Sequence, residues 1–199
     1  MIDPPGTLVG DAIENPGNAL ALLDCARMFA VDCRFRDTKG LSLSAELLAA
    51  LGDALPVAAA AEIGALHPRT IAFDNGPGAS DVYGLRPGTG FTLVVGNERR
   101  GLSHGMRSLA THAAQVPMRS RRVNCLNVAA AAAVALYYLR QPQALRRGSR
   151  HDPERRRPEL LLAGAGDHVE LGSALRSAAA LGWSRAFVED RHRVARSTR

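Results

Sequence analysis

Apolar stretches of strand length alternate along this chain with amphipathic or alanine-rich stretches of helical length. That rhythm points to βαβ units around a mainly parallel sheet, an α/β architecture with helices on both faces. Strands are expected near Thr7–Ile13, Val31–Phe35, Pro56–Ala60, Thr70–Asp74, Phe91–Val95 and Ala114–Pro117. Helices are expected at Ala19–Phe29, Ser42–Leu51, Glu62–Leu66, His104–Thr111 and Val128–Arg140. The 199 residues suffice for one such domain, or for one domain with an appendage. A hydrophobic fraction of 46% against 22% charged residues is enough to bury a single core and excludes disorder throughout.

After Arg140 the texture changes. Gln141 to Pro158 holds three prolines and six arginines with almost no large apolar residue, so 141–158 reads as a linker between a domain at 1–140 and a tail at 159–199. In the tail, Glu159–Ala163 reads as a strand, Leu171–Leu181 as a helix and Arg185–Glu189 as a second strand. The stretch Asn18 to Ala26 and the stretch Glu170 to Ala178 both fall between two strands, so the tail reads as a partial repeat of the domain start. Strand–helix–strand units in general share that outline.

Three cysteines, Cys25, Cys33 and Cys125, form no C-x-x-C pair, so neither a disulfide framework nor a thiolate metal site is indicated, and no metal is expected. The first residues lack the basic and apolar regions of a secretory signal. The longest apolar run, Val128 to Leu139, is far shorter than the ~20 residues that span a membrane. The expected setting is cytoplasmic, with no membrane partner.

Charge is unevenly placed. Residues 1–98 carry 6 basic against 12 acidic side chains, and residues 99–199 carry 19 against 7, which leaves the net +6 of the whole. Every basic residue of the second half is arginine, whose planar fork pairs bidentately with phosphate. A polyanion partner follows; a solvated basic surface that reflects base composition is the other reading.

Three segments carry candidate chemistry. In Leu93-Val94-Val95-Gly96-Asn97-Glu98-Arg99-Arg100-Gly101-Leu102-Ser103 an apolar strand stops at a glycine, and a glutamate follows beyond its carboxyl end, the edge where open α/β sheets bind ligands. It is neither a dinucleotide fingerprint nor a P-loop, and by itself it also fits a glycine turn with an exposed acid. In Val116-Pro117-Met118-Arg119-Ser120-Arg121-Arg122-Val123-Asn124-Cys125-Leu126-Asn127 a strand ends at Pro117, a basic loop crosses over, and Asn127 stands at a helix N-cap position. The helix that follows is apolar on nearly every face and must be buried all round, inside the domain or against a second subunit. Asn15-Pro16-Gly17-Asn18, before the first helix, forms a turn and cap with side-chain amides to spare.

In that order, N-P-G-N, V-V-G-N-E-R-R-G-L-S and V-P-M-(basic loop)-C-L-N-V-A resemble the three motifs of the SpoU (TrmH-like) branch of the SPOUT RNA methyltransferases, over roughly residues 6–140. The resemblance implies a SPOUT-type parallel sheet with a deep C-terminal trefoil knot, an exception to the rule against threaded chains. It implies S-adenosyl-L-methionine as cofactor, a homodimer, and a 2′-O-methylated ribose in tRNA or rRNA as product. It places Gly96, Val116, Pro117, Met118 and Leu126 at the cofactor. Glu98 and Asn127 would support the catalytic arrangement, and Asn18 would lie near the target ribose. RNA would be held by Arg99, Arg100, Arg119, Arg121 and Arg122, with shape and phosphate contacts prevailing over base stacking because aromatics are few.

The sequence departs from the family at three positions. The glycine and arginine that follow the first motif are replaced by Leu20 and Asp24, and the serine of the third motif by Cys125. In the tail, Gly172 and Arg176 stand where Leu20 and Asp24 stand in the first copy, so Arg176 is a candidate for the missing basic group. Alternatively, Asp24 acts as the base, or the chain is an RNA-binding paralogue that keeps the fold without catalysis. Methylation of a base instead of a ribose is a further reading. Neither the target RNA and nucleotide nor the role of the tail is fixed by these residues.

Overall fold

The computed structural model describes residues 5–86, 88–118, 125–140, 159–191 and 193–194. The chain divides into two compact units, one drawn from 1–116 and 128–142, the other from 117–127 and 143–199. The segment expected as a linker lies outside the described residues.

In the first unit, β1 (Gly6–Asp11), β2 (Asp32–Arg36), β3 (Thr70–Phe73), β4 (Ser80–Asp81), β5 (Phe91–Gly96) and β6 (His112–Gln115) form one sheet in the order β2-β1-β5-β3-β6-β4. Every pairing in it is parallel. Parallel neighbours need crossovers, and α1 (Pro16–Met28), α2 (Ala45–Leu51), α3 (Ala60–Ala65) and α4 (His104–Leu109) lie in them, whereas α5 (Val128–Arg140) follows the last strand of the sheet. Side chains alternate across the pleat. Val9, Ala72 and Val94 meet Ile63 of α3 and Met106 of α4, together with Leu102. Leu8, Ile71 and Leu93, all fully buried, face the other way, where α1 and α5 pack on β1 and β5. Each large aliphatic buried here stabilises the fold by about 1.5–3 kcal/mol relative to exposure.

Local chemistry sets the element ends. Asn15 caps α1, its side chain accepting the Asn18 amide at 3.1 Å, and Pro16 needs no N–H at the first helical position, so α1 starts three residues before the expected Ala19. The strand expected over Pro56–Ala60 shrinks to one bridge between Phe35 and Val57. Glu62 Oε2 takes the Ala59 amide at 2.8 Å and starts α3 at Ala60. β6 lies two residues earlier than expected because Ile71 pairs with His112, and its partner β4, a polar two-residue strand behind a Gly/Pro run, has no apolar signal to betray it.

Helix α5 spans the expected residues, but within the chain it is not buried all round. Val128, Ala132, Ala135, Leu136 and Leu139 are buried, whereas Ala129, Ala130, Ala131, Ala133 and Val134 are half-buried and Tyr137 is 51% exposed. Tyr138 packs edge-on against Tyr83, with ring centroids 4.9 Å apart.

Beyond β2, Asp37 nucleates the next loop. Burial alone would raise its carboxyl, but the Ser42 hydroxyl and the amides of Ser42, Lys39 and Leu41 all donate to it and bring it from 3.8 down to about 2. A depressed folded value means that this stabilisation is complete above the unfolded value and is lost as pH falls towards 2. We expect urea unfolding between pH 5 and pH 2.5 to show an acid-dependent loss to which Asp37, discounted for solvent screening, contributes about 1 kcal/mol, a contribution that Asp37→Asn removes.

The second unit contains β7 (Leu161–Ala163), α6 (His168–Ala180) and β8 (Phe187–Glu189), with β7 and β8 parallel. Asp167 caps α6 by accepting the amides of Val169 and Glu170 at 2.7 and 2.8 Å. The helix ends with Leu181 N–H on Ser177, left-handed Gly182 bonded to Ala179, and Trp183 bonded to Ala178. Helix α1, also 13 residues long, ends in the same sequence of bonds: Phe29 to Cys25, left-handed Ala30 to Arg27, and Val31 to Ala26.

Candidate active site

The sheet register brings the first and second motifs to one edge. Asp11 ends β1 opposite Arg36 of β2 and Gly96 of β5. Val95, Phe73 and Ala114 share a row, so Gly96 and Val116 emerge at that same carboxyl edge, about 10 Å apart across β3 at ordinary strand spacing.

Gly96 is required by the turn that follows it. A β-carbon there would stand 2.3 Å from the Gly101 carbonyl carbon and 2.4 Å from the Leu102 nitrogen, because residues 97–101 fold back over it. The backbone of Asn97 exchanges two bonds with Gly101, at 3.1 and 2.8 Å, and Gly101 closes the turn at φ +66°. The Asn97 side chain is buried inside: its Oδ1 accepts the amides of Arg99 and Arg100, and its Nδ2 donates to the Ala12 carbonyl at 2.9 Å. Glu98, Arg99 and Arg100 are thereby presented outward, all exposed.

Glu98 Oε1 accepts a hydrogen bond from the Asn18 Nδ2 of α1, 80 residues away in sequence. Two of the expected site residues are thus in direct contact. Asp24, one turn and a half further along α1, points into solvent and pairs with Arg27 at 3.3 Å, both side chains being about two-thirds exposed or more. Val116, expected at the cofactor, is buried at the end of its strand segment.

Pro117, Met118, Leu126 and Asn127 belong to the second unit and are each half-buried; Cys125, beside them in sequence, is exposed. Arg176 lies on α6 in the same unit and is exposed. Arg119, Arg121 and Arg122 lie outside the described residues. The thiols of the first unit are unsuited to nucleophilic work: burial raises Cys25, and it pushes Cys33 up to about 12.

Three residues outside the expected set shape this edge. Asn97 builds the turn. Asp11, fully buried, accepts Arg36 Nε at 2.6 Å and the Ser103 amide at 2.7 Å. Asp74 takes the Arg107 guanidinium at 2.5 Å and lies beside Gly101. An acid closing an apolar strand is a signal for Asp11, but the strand expected over Thr7–Ile13 runs past it. Asp74 and Arg107 also wall a cleft of about 270 Å³ floored by Ala72, Ala79 and Ala113. Among the described residues no group of His, Cys, Asp and Glu is arranged to hold a metal, and no helix is long and apolar enough to cross a membrane.

A profile of the SpoU rRNA Methylase family matches residues 6–137. Among solved structures, the SpoU methyltransferase AviRb from Streptomyces viridochromogenes, in complex with the cofactor AdoMet, matches at 24% identity and TM-score 0.52, over 69% of this chain and 60% of AviRb. A structure concerned with 2-OH methylation of C/U34 on tRNA matches at 27% identity and TM-score 0.56, over 69% of this chain and 89% of that one. The A. aeolicus TrmH/SpoU tRNA modifying enzyme matches at 17% identity and TM-score 0.56, over 68% and 75%. This chain therefore spans about three-fifths of AviRb's length. A search of curated proteins finds no match.

Proposed function

Given that the chain belongs to the SpoU rRNA methylase family, we propose that it transfers a methyl group from S-adenosyl-L-methionine to a ribose 2′-hydroxyl of tRNA or rRNA. The observation that carries this reading is the Asn18–Glu98 bond, which joins the first and second motifs at the carboxyl edge of the sheet. Trefoil threading, a homodimer and a cytoplasmic setting belong to the same proposal. The apolar residues of α5 left half-buried support the homodimer.

The residues present fit this cofactor. Gly96, at the end of β5, and Val116, just beyond β6, stand at the same edge, and the one acid on the turn is of the sign a sulfonium tolerates. When bound, the cofactor supplies an electrophilic methyl carbon. Gly96 and Val116 are proposed to hold it. Glu98 orients the Asn18 amide, and Asn18 orients the ribose; in-line placement of this kind supplies much of the acceleration in such displacements. Pro117, Met118, Leu126 and Asn127 keep the roles given by the third motif. Arg99 and Arg100, with Arg119, Arg121 and Arg122, are proposed to hold phosphates, so RNA binding is expected to weaken steeply with salt.

The hydroxyl must also lose its proton. Asp24 is a poor candidate for this work, because its carboxylate is solvated and already faces Arg27. Arg176 is proposed to polarise the hydroxyl in place of the arginine that Asp24 replaces. Supporting this, α6 repeats the length and end structure of α1, and with the tail read as a partial repeat, Arg176 takes the position of Asp24. We expect Arg176→Ala to abolish methyl transfer without weakening cofactor binding measured by calorimetry; unchanged turnover rejects the role.

The loss of arginine at Asp24 favours a second reading, an RNA-binding paralogue without catalysis. Incubation with labelled S-adenosylmethionine and bulk tRNA or rRNA separates the two. Label incorporated by the parent and lost in Glu98→Ala and Asn127→Ala supports the enzyme; retention of RNA with no label incorporated supports the binder.

A further inference from the structure

We infer that Asp11 is a positioning residue that sets the Glu98 turn against Asn18, an inference that rests on the methyl-transfer reading. Its carboxylate is fully buried and divided between two elements. Oδ1 takes Arg36 Nε at 2.6 Å, at the end of β2, and Oδ2 takes the Ser103 amide at 2.7 Å, where the 97–103 segment enters α4. The next residue grips the other end of that segment: the Ala12 carbonyl accepts Asn97 Nδ2 at 2.9 Å. Ala12 does so from a left-handed conformation, φ +54°, that alanine adopts only when its surroundings impose it, and its own N–H is held by the Arg36 carbonyl at 3.0 Å.

Two consecutive residues therefore clamp both ends of the turn that carries Glu98. The same backbone then runs through Asn15, the cap of α1, to Asn18, the partner of Glu98. Stability alone is a weak reason for such an arrangement, because a buried ion pair contributes little beyond what well-packed apolar residues would supply. Geometry is the better one. The carboxylate fixes where Ser103, and with it the whole turn, stands relative to the start of α1. Asp11 itself, sealed below the sheet edge, touches neither RNA nor cofactor in this arrangement and acts through Glu98.

The test is Asp11→Asn, alone and combined with Glu98→Ala. An amide presents a donor to Arg36 and loses the charge that both partners need. Turnover of the single variant is expected to fall about 100-fold, the cost of misplacing reacting groups by about an ångström, with KM for RNA and for S-adenosylmethionine within about threefold of the parent. In the Glu98→Ala background the same change should cost nothing further, because a residue acting through Glu98 has no other route. A full additional loss in the double variant overturns the inference. Hydrogen exchange supplies a readout independent of activity: amides of 97–103 are expected to exchange at least about tenfold faster in Asp11→Asn while the central strands stay protected. Uniform acceleration, or none, overturns it.

Should Asp11→Asn not fold, Ser103→Pro removes the same hydrogen bond at φ −64°, which proline adopts, and Ser103→Ala controls for the lost cap. Faster exchange across 97–102 in the proline variant but not the alanine variant supports the clamp; equal behaviour rejects it. A parent protein that transfers no methyl group fails the enzymatic reading, and the exchange data still decide the clamp.

Discussion

Replacing Gly96 by alanine is expected to reduce methyl transfer at least about 100-fold and to lower the melting temperature by roughly 3–10 °C. The new methyl group would stand 2.3–2.6 Å from three backbone atoms of Gly101 and Leu102. Backbone cannot rotate aside as a flexible side chain would. The turn must open, and opening it breaks the paired bonds between Asn97 and Gly101 and carries Glu98 away from Asn18. Gly76→Ala is the matched control: it lies in a loop at the same edge, and a β-carbon there meets nothing within 4 Å. Thermal denaturation with the labelled-methyl assay checks both expectations; a Gly96→Ala protein as stable and as active as the parent would disprove this role of the turn.

Glu98→Ala carries the second large effect, a fall in turnover of about 100-fold with the cofactor dissociation constant unchanged. Asn18→Ala should cost nearly as much, and the double variant little more than either single one, since both changes delete one contact. Glu98→Gln preserves an acceptor for the Asn18 amide and removes only the charge. A loss of about tenfold or less is expected there, which separates orientation of Asn18 from a direct electrostatic role. If the two single effects multiplied in the double variant, Asn18 and Glu98 would act independently and their bond would carry no catalytic meaning.

Much of this arrangement is legible in the sequence because it rests on burial. The runs at Thr7, Thr70 and Phe91 are long enough and apolar enough to be strands, and Val128–Arg140 is helical along its whole expected length. What escapes is set by single hydrogen bonds. No periodicity tells Pro56–Ala60 that one bridge will form and that Glu62 will begin a helix. β4 is two polar residues whose pairing with β6 is visible only once the chain has folded. The site follows the same division. Gly96 and Glu98 stand out locally as a strand end followed by an acid. Their relation to Asn18 is a contact across 80 residues that only the resemblance to the SpoU motifs anticipates. Asp11 is hidden by its surroundings, because the run Thr7–Ile13 reads as one strand straight through it, and its two partners come from β2 and from beyond β5.

The place of β1 inside its sheet governs how a growing chain is assembled on the ribosome. Thr7 pairs on one side with Asp32 and on the other with Thr92. The first strand–helix–strand crossover is available for docking soon after it leaves the exit tunnel, while the opposite flank of β1 waits until β5 has been translated. Closing so long a loop is slow, and an apolar edge stays open to foreign strands throughout the wait. The proposed catalytic rim, which needs residues from both sides of that gap, is among the last parts of the first unit to be completed.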